Sequence, residues 1–287
     1  MNRLKSSRWA SFLIVGGIYV VAGILGIWIF RLFSLPLWLR LLVADVAATV
    51  ATFVFSLIFC NASVYDPYWS VQPIVILLAF SIGTVMTPAK ILLLIAVCLW
   101  GIRLTANWAY TFHGLNHQDW RYTMLKEKTA CFYPIINFIG IHMVPTLVVY
   151  GCTLPAVYVF GSTAAVNSGC VVFFCLSIGA VILQGTADCQ MHRFRKNKTG
   201  GFIRIGLWKH SRHPNYLGEI LMWWGVGLFS HCLMPHEWYL LAGAAANTLL
   251  FLCVSIPMAD GKQSRKDGFG EYKAQTRMLF PLPKLHK

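Results

Sequence analysis

Eight apolar runs constrain this chain more than any single motif does. They lie at about 9–30, 38–60, 70–87, 89–110, 131–151, 164–184, 215–231 and 238–258. About 20 apolar residues of helix cross a hydrocarbon core of ~30 Å, and inside that core the backbone must pair with itself, so runs of this kind must be helices. The expected fold is therefore an all-α integral membrane protein, a bundle of seven or eight transmembrane helices. The lower count applies if 70–87, which is short and holds Pro73, is not a span. Pro36, Pro67, Pro88, Pro155 and Pro235 fall in or beside the breaks between runs.

Composition agrees with that reading. Charged residues make up 12% of the chain and hydrophobic ones 57%, whereas a soluble domain carries about a quarter charged residues. The first run follows Arg3, Lys5 and Arg8, is too long for a signal-peptide core and lacks a small-residue cleavage site, so it is expected to stay as a helix. The nine cysteines show no CxxC spacing and read as reduced, buried packing residues.

Charge sets the expected orientation. With a cytoplasmic N-terminus and eight spans, 20 of the 24 Lys and Arg fall on one side, concentrated at the N-terminus, at 121–128, at 193–212 and in the tail from Lys262. The positive-inside rule then puts both termini and the His213 region in the cytoplasm, in the endoplasmic reticulum membrane of a eukaryote or the inner membrane of a bacterium. The net charge of +14 is explained by orientation and attraction to anionic lipid rather than by nucleic acid. Its excess on the 185–214 loop and the tail suggests two segments meeting over one polyanion. Asn61-Ala-Ser63 and Asn197-Lys-Thr199 match the glycosylation pattern and are read as chance.

The most informative stretch is Gly206–Trp224, GLWKHSRHPNYLGEILMWW. Pro214 suits a first helical position, so a helix is expected to begin at about His213. Asn215, Glu219 and Trp223 are four apart and share one face. Lys209, Arg212 and His213 precede a helix N-terminus, which makes a place for phosphate. An ionised Glu219 in an apolar helix needs a polar partner, either a ligand or a neighbouring helix. Arg103, deep in its own apolar run, needs one too, Asp45 or a ligand. His113 and His117 stand four apart in what reads as a wet loop, with no third metal ligand at convincing spacing. His142 reads as a hydrogen-bonded core residue, and His231 and His236 lie toward the other membrane face.

The run Asp188-Cys-Gln-Met-His-Arg-Phe-Arg195, then Gly-Leu-Trp208, Ser-Arg-His-Pro-Asn-Tyr-Leu-Gly-Glu219, Trp223-Trp224-Gly225, and later Gly268-Phe-Gly-Glu-Tyr272 and Leu279-Phe-Pro281, resembles the C-terminal domain of the steroid 5-alpha-reductase family. Arg103-Leu-Thr-Ala-Asn-Trp108 and Asp119-Trp-Arg-Tyr122 resemble a branch of that superfamily, which also holds sterol C14 reductases and isoprenylcysteine methyltransferases. The resemblance implies residues 1–130 as the substrate-side half and 131–287 as a domain with the cofactor site. NADPH would be held by Asp188, Arg195, Trp208, Arg212, His213, Asn215, Tyr216, Glu219, Arg265 and Tyr272. In that reading the basic residues take the phosphates, Asn215 and Glu219 the nicotinamide amide and ribose, and Trp208 and Tyr272 stack on adenine. Trp208 and Tyr272 read equally as interfacial aromatics, and Asp188 as an ion-pair partner of Arg193 or Arg195.

The implied reaction is reduction of an activated C=C bond in a steroid-like, sterol or other membrane lipid. In the steroid reductases an acid and a tyrosine on N-terminal helices hold the substrate carbonyl, and here the first hundred residues contain only Asp45 and Asp66 as acids. The nearest substitute is Tyr65-Asp66-Pro67-Tyr68-Trp69, with Arg103, Asn107 and Tyr110 as partners, so the expected catalytic set is Tyr68, Asp66, Arg103 and Tyr110. An ordinary interfacial turn accounts for the same knot. Two other classes stand beside the reductase: an S-adenosylmethionine-dependent methyltransferase of a lipid or prenyl-cysteine, and a lipid-binding protein without catalysis.

Overall fold

A computed structural model describes residues 5–197 and 201–281, and among these residues it is helical, with no β-strand. Arg3, Lys198, Lys284 and Lys287, like the Lys-Thr part of the second glycosylation pattern, lie outside the described residues. The helices are α1 (Arg8–Leu32), α2 (Leu37–Ile58), α3 (Tyr68–Ser81), α4 (Pro88–Thr111), α5 (Trp120–Thr129), α6 (Tyr133–Ile136), α7 (Val144–Phe160), α8 (Ser168–Lys196), α9 (Leu207–His210), α10 (Pro214–Leu233), α11 (Ala242–Leu250), α12 (Ile256–Gln263) and α13 (Phe269–Gln275). π-Helical turns at Asn137–Met143 and Phe251–Ser255 run into α7 and α12.

Among the described residues six helical stretches are long and apolar enough to cross a membrane: Arg8–Leu32, Leu37–Ile58, Pro88–Thr111, Trp120–Phe160, Ser168–Lys196 and Trp238–Gln263. Large apolar side chains point outward from them, including Leu13 at 79% exposure and Ile182 at 64%. Only hydrocarbon makes such surfaces favourable, so a multi-pass membrane protein is the coarse conclusion. α3 has 14 residues, a length of about 21 Å that falls short of ~30 Å of hydrocarbon. α10 has 20 residues but carries Asn215, Glu219 and His231.

Three expectations need correction. Pro155 lies inside α7 and not at a break; membrane helices tolerate proline where neighbouring groups re-satisfy the freed carbonyl. The segment 185–196 is the end of α8 and not a loop, because its polar residues alternate with packed ones such as Ala187. Nor are the cysteines uniformly buried: all nine are free thiols, Cys152 and Cys170 are buried, and Cys60, Cys131, Cys175, Cys189 and Cys253 are exposed. A small apolar thiol packs as well against lipid as inside protein.

The chain divides into two compact units, Met1–Ala79 with Leu104–Leu154 and Phe80–Arg103 with Pro155–Lys287. The division is interleaved along the chain and not a single cut near residue 130. In the first unit α1 packs along α2, and in the second α8 packs along α10. The α8–α10 contact is close because two glycines face α8. A Cβ on Gly218 would lie 2.4 Å from Gln184 Cγ, and one on Gly225 would lie 2.1 Å from Ser177 Oγ. The pairs 218 with 184 and 225 with 177 also define an antiparallel register.

Candidate functional site

In the second unit α10 begins at Pro214 with His213 as its N-cap, as the proline required. Five residues on, Glu219 is 4% exposed, and its carboxylate is met from two helices. Trp223 Nε1, one turn along α10, donates to Oε1 at 3.0 Å. Trp100 Nε1, from α4, donates to Oε1 at 3.0 Å and Oε2 at 2.8 Å. The two indoles pack edge to face with centroids 4.7 Å apart, so both rings are fixed while their N–H groups converge. Arg103, one turn beyond Trp100 on α4, lies 3.8 Å from Glu219 Oε2 and 2.6 Å from Asp188 Oδ2 on α8.

One guanidinium therefore serves two carboxylates. This corrects the sequence reading of two residues, Arg103, whose ion pairs are with Asp188 and Glu219, and Asp188, whose ion pair is with Arg103 and not with Arg193 or Arg195, while Glu219 is met by a neighbouring helix as expected. Burial requires it, since a lone charge in this setting costs several kcal/mol.

Polar atoms without partners surround this cluster. Gln184 is fully buried, and neither its Oε1 nor its Nε2 has a hydrogen-bond partner among the described residues; Asn215 Oδ1 and Arg103 Nε are buried and likewise unpartnered there. Moving three residues back from Gly218 on α10 and four on from Gln184 on α8 brings Asn215 level with Asp188. An unmet buried amide group costs about 1–3 kcal/mol, so a cluster of them marks a place for a polar guest. Gln184 was missed in the sequence, although a glutamine ending an apolar run is itself a signal.

A second cluster forms where the tail meets the head of α10. Asp260 of α12 receives Arg212 Nη2 at 3.2 Å and His213 Nε2 at 3.0 Å, with Lys273 Nζ at 3.6 Å. Arg212 Nη1 also donates to the Thr276 carbonyl at 2.7 Å. Asp260, absent from the sequence reading, thus organises two of its expected phosphate ligands. Tyr216 stacks on His213 with planes 4° apart. Trp208 donates to the Ala187 carbonyl, and the Tyr272 hydroxyl donates to the Trp208 carbonyl. Both rings are packed in the protein, at 8% and 7% exposure, and burial raises the Tyr272 phenol to about 12. Arg195 at the end of α8 and Arg265 after α12 are exposed.

The first unit disperses the expected catalytic knot. Tyr68 donates to Asp45 Oδ1 at 3.0 Å, and Gln72 Nε2 donates to Asp45 Oδ2 at 2.8 Å. Tyr65 shares a hydrogen bond of 2.7 Å with Thr146. Asp66 turns elsewhere, accepting from Tyr122 at 2.5 Å. Tyr110 is 64% exposed at the end of α4, and Arg103 belongs to the second unit. Among the expected catalytic residues, then, Tyr68 keeps an acid partner, and that acid is Asp45, which the sequence reading had set against Arg103. The reason is periodicity: Tyr68 and Gln72 are one turn apart on α3 and address the two oxygens of one carboxylate. His142 is fully buried with Nδ1 2.9 Å from the Asn137 carbonyl, as expected of a core histidine. Asn61 of the first glycosylation pattern is buried and donates to the Leu115 and His117 carbonyls.

Asp66 supports a pH prediction. Burial raises its carboxyl from 3.8 to about 6, against the pull of Arg121 and the hydrogen bonds from Tyr122 and Ser63. The folded state thus binds this proton more tightly than the unfolded chain does. Its contribution is fully present below about pH 4 and is lost as pH rises through about 6. Wild type should lose up to about 2–3 kcal/mol relative to Asp66→Asn between those limits, measured as the difference in thermal midpoint at each pH. A pH-independent difference would contradict this.

Helices throughout the described residues, six of them candidate spans, define a polytopic membrane protein, whose second unit holds a buried Arg–carboxylate cluster. The chain belongs to the DUF1295 family, "Protein of unknown function (DUF1295)", whose profile matches residues 52–276, a family related to steroid 5-alpha-reductase-like proteins. It is 25% identical over 198 residues to an uncharacterized protein of Schizosaccharomyces pombe, with 59% of this chain and 57% of that protein covered. The chain thus spans little more than half the length of that relative. No solved structure matches significantly.

Proposed function

We propose that this protein is an NADPH-dependent reductase of an activated C=C bond in a membrane lipid of the steroid or sterol kind, of the steroid 5-alpha-reductase branch. The observation that carries the proposal is the Glu219–Arg103–Asp188 cluster with the unpartnered amide atoms of Gln184 and Asn215 beside it. Those atoms fit the cofactor: amide donors and acceptors complement a carboxamide and ribose hydroxyls, while Arg212, His213 and Lys209 at the head of α10 complement phosphate. NADPH supplies the hydride when bound.

The chain's own residues do the rest. Trp100 and Trp223 hold the Glu219 carboxylate in one orientation, ready to accept from a hydroxyl or amide. Arg103 offsets one of the two acidic charges and links α4 to both α8 and α10. In the first unit Asp45 and Tyr68 are the acid and tyrosine pair that the resemblance calls for. Gln72 fixes the second Asp45 oxygen, and Asp45 orients Tyr68, whose phenol would turn its O–H to a carbonyl oxygen and stabilise the negative charge that develops on it.

The test is nicotinamide oxidation by detergent-purified protein offered a panel of enone lipids. Tyr68→Phe and Asp45→Asn should each lower kcat by about 10²-fold or more and leave NADPH affinity within about twofold. Wild-type rates in both variants, or no oxidation with any enone, would count against the reading.

A further inference from the structure

A cavity of about 660 Å³ lies on the face of α10 opposite Asn215 and Glu219. At 100° per residue, Leu217, Ile220, Leu221 and Trp224 point roughly 150° away from Asn215 and Glu219. These four form one wall. Thr248 and Leu252 form another, and the extended tail from Thr276 to Phe280 closes the third side. The wall is apolar even at its polar atoms, because Trp224 Nε1 donates to Thr248 Oγ1 at 2.9 Å.

The two ends differ. Arg212 and Arg277 line one end. Arg212 is 9% exposed, and its Nε has no acceptor among the described residues although Asp260 takes Nη2. From Pro214, beside Arg212, to Trp224 the groove wall runs about 15 Å at ~1.5 Å per residue, half of a ~30 Å hydrocarbon core. A chain-shaped apolar groove one leaflet deep, headed by guanidinium groups, has the form of an anionic lipid: acyl chain along α10, phosphate at the arginines.

We infer that this groove is a binding site for a single anionic phospholipid. The groove lies on the other face of α10 from the Glu219 cluster and shares Arg212 with the proposed NADPH phosphate contacts, so its test varies Arg277 and Leu252, which the reductase proposal does not use in the site.

Trp224 makes the site directly readable. Phosphatidylglycerol or phosphatidylcholine with brominated chains is titrated into the full-length protein in detergent, and the quenching lost in Trp224→Phe is taken as the groove signal. Phosphatidylglycerol should quench that signal at a concentration at least tenfold below phosphatidylcholine. Arg277→Gln should bring the two lipids together, and Leu252→Phe, which fills the groove without adding an indole, should weaken quenching by both. Monodisperse elution checks that each variant folds. Equal quenching by both lipids in wild type would overturn the anionic-head assignment. Quenching untouched by Leu252→Phe, or a signal that tracks protein concentration because a second copy covers the groove, would overturn the site.

Discussion

Glu219→Ala is expected to destabilise the protein by roughly 3–5 kcal/mol, the range seen when a buried charge loses its partner. Three groups depend on this carboxylate: the indole N–H groups of Trp100 and Trp223, and the guanidinium of Arg103. Each buried indole left without an acceptor costs about 1–3 kcal/mol. Arg103 keeps Asp188, which limits its share of the loss. Glu219→Gln has nearly the same shape and retains an acceptor oxygen for one indole, so it should unfold within about 1–2 kcal/mol of wild type. The two variants separate structural from ligand roles: on the proposed function, the Gln variant folds but loses at least tenfold in NADPH affinity. An unchanged thermal midpoint in Glu219→Ala would show that the indoles do not rely on this side chain.

Gly225→Ala should also be destabilising, for a steric reason. The added methyl would meet Ser177 Oγ at 2.1 Å, inside any acceptable contact, and the Phe173 carbonyl at 3.0 Å, so Ser177 must move and α8 and α10 must give by a few tenths of an ångström. Overpacking of this kind costs about 1–3 kcal/mol or more. Gly218→Ala meets the Ala180 carbonyl at 2.8 Å and should also disturb Gln184 and the polar cluster. Adding Ser177→Ala to Gly225→Ala removes the nearest atom but not the carbonyl, so partial recovery is expected. Thermal unfolding of the three variants tests this. Full recovery would mean that the backbone contact is looser than described, and no loss at all that the helices do not meet here.

Local signals in the sequence predicted local structure well. Pro214 announced the start of α10, and the four-residue spacing of Glu219 and Trp223 announced a contact that exists as a hydrogen bond. The apolar runs located the long helices, though α8 runs twelve residues past its expected end because its polar residues still pack. Tertiary pairings were not legible. Arg103 is 85 residues from Asp188, and nothing in the sequence favours that acid over Asp45. Asp45 was reachable by elimination, being one of two acids in the first hundred residues, yet its nearness to Tyr68 depends on how α2 and α3 cross. Asp260 stands just past the last apolar run, at the start of the basic tail, and its partners Arg212 and His213 are 48 and 47 residues away, so its role was not legible either.

The measurement that bears most directly on the central claim is thermal unfolding of the purified protein with NADPH, NADH or S-adenosylmethionine added separately. A ligand at a hundred times its dissociation constant adds about 2.7 kcal/mol to the folded state, enough to move the midpoint by several degrees. The account predicts a clear rise with NADPH, a smaller one with NADH, none with S-adenosylmethionine, and loss of the NADPH response in Glu219→Gln. A rise with S-adenosylmethionine alone, or no rise with NADPH, would contradict it.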